Sequence, residues 1–155
     1  MPKIARTLVG FGFVWMSLWA TFGALMGAKL NQALLNEDSS WLGGLQRTIL
    51  RSAHAHMNAM SLALVALGLS YMAARRRAKQ RTVVFCSIAA LAGTIVFGIG
   101  LLLEAFFPPV RGSLPWASGI TAMGGVVYLL SVGLWGIIFL GKSPNDKPEE
   151  QNANP

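Results

Sequence analysis

Two histidines, an asparagine and an arginine fall within eight residues, Arg51-Ser52-Ala53-His54-Ala55-His56-Met57-Asn58, at the head of an apolar run that continues to Met72. These are the chain's only histidines. Imidazole is the commonest metal ligand, and as the neutral ring it takes a heme axial position. An ionisable group inside lipid costs free energy, about 2.5 to 3.5 kcal/mol for a central charge on insertion scales, so its presence there points to function. On a helix His54 and Asn58, four apart, share a face, whereas His56 is turned about 200° from His54. The two rings therefore cannot ligate one iron or one metal ion from a regular helix. One of them needs a different job: a hydrogen bond to another helix, contact with a neighbouring subunit, or a place at the aqueous rim. The plain alternative makes both of them interfacial polar residues. A three-histidine metal centre within one chain is excluded.

Two more groups belong with this stretch. Glu104 is the only carboxylate in any apolar run, three residues before Phe107. Antiparallel packing would bring it to the depth of His54. There it could accept a hydrogen bond from a ligating imidazole, act as acid or base, pair with Arg51 or Arg111, or simply be an interfacial carboxylate. Tyr128, near the middle of the last apolar run, is a candidate donor to a bound substrate, although a phenol satisfied by a neighbouring carbonyl is the commoner case.

The elements that must position these groups follow from composition. With 54% hydrophobic and only 12% charged residues, the chain is one that lipid must solvate. A span needs roughly 20 mostly apolar residues, and four can be drawn: Leu8 to Met26, Ser52 to Met72, Thr82 to Phe107 and Trp116 to Leu140. The expectation is an all-α integral membrane bundle of four transmembrane helices over residues 1–140, multi-pass in the cell inner membrane, with a disordered cytoplasmic tail over 141–155. The single cysteine, Cys86, leaves neither a disulfide framework nor a Cys-x-x-Cys-His attachment, so a heme would be held noncovalently.

The net charge of +7 is explained by topology. Nine cations lie on one side: Lys3 and Arg6, then Arg75, Arg76, Arg77, Lys79 and Arg81, then Lys142 and Lys147. Four lie on the other: Lys29, Arg47, Arg51 and Arg111. The positive-inside rule places both termini in the cytoplasm and His54 near the external face, which leaves no basic patch for nucleic acid. The basic start and first apolar run look like a signal peptide, but the run is too long for one and reads as a retained helix. Its Gly23-x-x-x-Gly27 offers a small face for helix contact. Residues 30–50 read as an external loop, with Trp41 at the interface and Gly43-Gly44 as a turn. Pro108-Pro109 ends the third span and leads through Arg111-Gly112 and Pro115 into the fourth. No GxGxxG, Walker loop or HExxH is present.

Through Ser52-Ala53-His54 and Ala66-Leu67-Gly68-Leu69, the chain resembles the hydroxylaminobenzene mutase family and, more loosely, the styrene oxide isomerases, both small four-helix membrane proteins. The resemblance covers span order, the basic loop after span 2 and roughly residues 51–140. It implies heme b with His54 on the iron, held where the subunits of a homo-oligomer, a trimer, meet. The family's asparagine six residues after the histidine is replaced by Met60, with Asn58 the nearest candidate. The isomerases' span-3 aspartate and tyrosine correspond to Ala92 and Gly100, so Glu104, Asn58 or Tyr128 would have to supply catalytic groups. Two functions follow as expectations. In one, ferric heme with an open axial position acts as a Lewis acid in rearranging a small apolar substrate, an epoxide or a hydroxylamine. In the other, His56 or a partner's ligand closes the iron for electron transfer or quinol handling. The heme carboxylates would seek a cation near the headgroups, and Arg51 lies one turn before His54.

Overall fold

The computed structural model describes residues 1–107 and 116–141. The turn expected at Pro108 to Pro115 and the tail beyond Gly141 lie outside them. The described chain is all-helical: α1 (Lys3–Leu35), α2 (Ser39–Leu42), α3 (Leu45–Arg77), α4 (Gln80–Phe106) and α5 (Trp116–Leu140). Four of these, α1, α3, α4 and α5, are long and apolar enough to cross a membrane.

The helices outrun the spans drawn from hydropathy. α1 and α3 have 33 residues each, about 50 Å at 1.5 Å per residue, against roughly 30 Å of hydrocarbon. Much of the expected 30–50 loop is therefore helix. α1 stops at Asn36 and Glu37, the latter with φ of 51°. One turn, α2, follows, and Gly43-Gly44 releases the chain into α3. Asp38 caps α2, its carboxylate accepting from the Trp41 amide at 3.1 Å and from the Ser40 hydroxyl at 2.6 Å.

Successive long helices run antiparallel and pack as neighbours in the order α1, α3, α4, α5, with most contact between α4 and α5 and between α1 and α3. The inner pair is about half buried, while α1 and α5 present mostly open apolar faces such as Phe13 and Leu18 or Leu129 and Ile137. Two close crossings hold the layers. At Gly68 an added Cβ would lie 2.8 Å from the Ala5 carbonyl oxygen, and at Gly93 it would lie 2.9 Å from that of Gly124. Both are short of ordinary contact, so these helices approach through missing side chains. One core cluster, including Leu8, Leu64, Tyr71, Ala90 and Trp135, ties all four helices together. A second, of Trp19, Ala53, Met57, Met60 and Leu101, lies toward the end where α1 turns into α3. Buried hydroxyls cost little, because Ser61, Ser87 and Thr94 each donate to the carbonyl four residues back.

The α2 cap carries a pH dependence. Hydrogen bonds from Ser40 and then from the Trp41 amide hold the Asp38 carboxyl below its ordinary value of 3.8. A lowered folded pKa means that the cap contributes fully above the unfolded value and is lost as pH falls through the folded one. Amide-exchange protection at Trp41 should hold at neutral pH and fall below about pH 4, and Asp38→Asn should flatten that dependence. Protection that is unchanged across this range would show that the cap does not hold α2.

Candidate functional site

His54 is half buried on the face of α3 that meets α1. Its Nδ1 lies 2.7 Å from the Trp19 carbonyl oxygen. A carbonyl only accepts, so Nδ1 carries the proton and the neutral ring keeps its lone pair on Nε2. Gly23, one turn along α1 from Trp19, is what admits the ring. A Cβ there would sit 2.2 Å from Cε1, 2.6 Å from Nδ1 and 2.9 Å from Nε2. The imidazole thus fills the place of a side chain that α1 lacks. Asn58, one turn further on, donates to the His54 carbonyl at 2.9 Å, and its amide nitrogen lies beside the ring, 3.2 Å from Nδ1 and 3.5 Å from Nε2.

His56 looks elsewhere. It is exposed, bonds back to the Ser52 carbonyl at 2.9 Å and leans on the Phe97 ring of α4, centroids 5.9 Å apart. The two imidazoles are on different sides of α3, as their spacing requires.

Beside His54, between α1 and α3 and under α2, is a half-open cavity of about 370 Å³. That volume falls within the range of small-molecule sites. Gly27, Met26 and Leu30 of α1 form its apolar wall. Arg47 and Arg51, two turns and one turn before His54, stand at its mouth with Trp41 of α2. Trp41 is held between cations, Lys29 Nζ at 5.2 Å and the Arg47 guanidinium at 5.7 Å from its ring centroid. Arg47 also donates to the Leu42 carbonyl, tying α2 to α3. Two buried indole N–H groups, those of Trp15 and Trp41, find no acceptor among the described residues, and only Trp41 borders this cavity. A buried donor left so costs about 1–3 kcal/mol.

The structure brings together His54, Asn58 and Arg51 from the sequence-derived set, and adds Gly23, the Trp19 carbonyl, Arg47 and Trp41. It does not bring Glu104 or Tyr128 to the cavity. Glu104 is in the last turn of α4, half buried, and Tyr128 is in the α4–α5 interface, where its backbone lies against Gly93. The acceptor that orients the His54 ring is a main-chain carbonyl rather than Glu104. Trp41 and the Gly23 spacing were visible in sequence as an interface residue and a helix contact, without a sign of the cavity they share.

Within the described residues the cavity offers a metal one side-chain ligand, His54. Among the described residues, no three His, Cys, Asp or Glu side chains gather as for a bare ion. A metal on His54 must bring its other ligands, as a porphyrin does. An Nδ1–H bonded to a carbonyl, with Nε2 left for the metal, is the usual state of a ligating histidine. The apolar wall suits the macrocycle, and the guanidinium mouth suits its carboxylates. The residues present fit heme b. No protein-family model, curated protein or solved structure matches the chain.

Proposed function

We propose that this is a heme b-binding membrane isomerase or mutase, with His54 as the residue that would hold the iron, both termini cytoplasmic and the cavity toward the external face of the cell inner membrane. The observation that carries the reading is the Nδ1–H bond to the Trp19 carbonyl, which leaves Nε2 as the lone-pair nitrogen of a ring at the cavity wall. When bound, ferric heme supplies a Lewis-acidic iron to the oxygen or nitrogen of a small apolar substrate. The chain's own part is to hold the imidazole in one tautomer, orient it against Gly23 and exclude water along the α1 wall. Asn58 packs beside the ring and donates to the His54 carbonyl. His56, on another side of α3, cannot reach a group held by His54 within one chain, which favours substrate rearrangement over electron transfer.

The test is the absorption spectrum of detergent-purified protein. A Soret band that shifts when imidazole is added is expected, since an open site takes it up. A spectrum without heme after loading with hemin rejects the reading, and a band indifferent to imidazole turns it toward electron transfer. Glu104→Gln, outside the cavity, should leave heme content within about twofold of the parent, as substitutions away from a site usually do. The open apolar faces of α1 and α5 and the open side of the cavity suit a homo-oligomer, a trimer by resemblance. Native mass measurement in micelles is expected to show three chains, and a heme-loaded monomer alone would reject that assembly.

A further inference from the structure

The charged side chains that line the α1–α3 cavity are both cations. Arg47 and Arg51 line it, among the described residues no carboxylate does, and the Trp41 ring borders it while its Nε1–H is buried away from the open space. Arg47 spends one of its five N–H groups on the Leu42 carbonyl and keeps the rest. The opposite wall, with Met26, Gly27 and Leu30, offers only apolar surface. A ligand that complements both ends has an apolar body and an anionic, planar acceptor that two guanidinium forks can share.

We infer that Arg47 and Arg51 form a carboxylate-binding subsite, so that the ligand of this cavity is an amphipathic acid lying along α1 with its carboxylate at the α2 end. The inference rests on the cavity's being the ligand site, as in the reading above, but not on heme. The carboxylate has two sources, a porphyrin's acidic side chains or the head of a free lipophilic acid, and both are recognised by the same two guanidinium groups. α2 then has a purpose that a plain connector would not need. Its single turn carries Trp41 over the cavity, and the Arg47 bond to Leu42 holds it there.

The experiment compares acid with ester on the full-length protein in detergent micelles. One arm titrates hemin against hemin dimethyl ester by Soret absorbance. The other titrates a doxyl-labelled stearic acid against its methyl ester by quenching of tryptophan fluorescence. Esterification removes the charge and leaves the apolar body, so at least one acid should bind about tenfold or more tighter than its ester, the range of charge-assisted hydrogen bonds. Arg47→Gln with Arg51→Gln should bring that ratio close to one. Acid preference in the hemin arm names the porphyrin as source, and preference in the stearate arm alone names a free acid. Acid preference with stearate and no hemin binding supports the subsite while removing the heme reading. Equal binding of acid and ester in both arms, no binding of any probe, or a ratio that survives the double substitution overturns it.

Discussion

His54→Ala should abolish heme retention while His56→Ala leaves it intact. Titrated with hemin, the His54→Ala protein should bind more than about 100-fold more weakly than the parent, beyond the 10–100-fold typical when only an outer-shell partner of a metal ligand is lost. The His56→Ala protein should stay within about twofold, because an exposed side chain away from the site changes little. The physical reason is the difference in commitment of the two rings. His54 presents one nitrogen to the Trp19 carbonyl at 2.7 Å and lines the cavity. His56 bonds back to its own helix at Ser52 and rests against Phe97. His54→Gly offers a control for misfolding. Free imidazole should re-enter the space left between α3 and Gly23 and restore the Soret band, which a collapsed helix pair would not allow. Loss of heme in His56→Ala with retention in His54→Ala would reverse the assignment.

The parts of this arrangement that sequence could show are those that depend on one helix at a time. Four apolar runs of about 20 residues are enough to place four long helices, since lipid leaves the backbone few alternatives. The opposite facing of His54 and His56 follows from 100° per residue, and Ser52 and Phe97 are where that turn leaves His56. What depends on two helices was hidden. Depth can be matched from span ends, which set Glu104 level with His54, but depth does not determine the angle around the helix, and Glu104 does not line the cavity. The partner of His54 Nδ1 is a carbonyl, which every residue owns and no side chain advertises. Helix ends were misplaced for a related reason. Hydropathy falls near residue 27, yet nothing stops the backbone before the turn at Asn36 and Glu37, so α1 continues and carries Leu30 up to wall the cavity. Trp41 reads equally well as a headgroup anchor, and only the fold sets it over Arg47.

Gly23 and Gly27 supply the second large effect, and a paired test of the geometry. They are four residues apart on α1 and indistinguishable as a small-residue motif, yet their surroundings differ. A Cβ at Gly23 would lie 2.2 Å from His54 Cε1, whereas one at Gly27 would meet nothing within 4 Å. Carbon atoms pack at about 3.5–4.0 Å, so Gly23→Ala forces the imidazole outward by more than 1 Å. That movement breaks the 2.7 Å bond to the Trp19 carbonyl and releases the ring to other rotamers and to the other tautomer. Hemin affinity of Gly23→Ala should fall about 10–100-fold, the scale of losing a ligand's orienting partner, with about 1–3 kcal/mol of overpacking at most in stability. Gly27→Ala should keep both affinity and stability, and gain slightly in helix propensity. Two outcomes would show that His54 does not depend on Gly23: equal effects of the two substitutions, or a Gly23→Ala protein that binds hemin like the parent. Replacing Trp19 cannot substitute for this test, because its carbonyl survives any side-chain change; among the glycines of α1, Gly23 is the one whose added methyl group would reach the histidine.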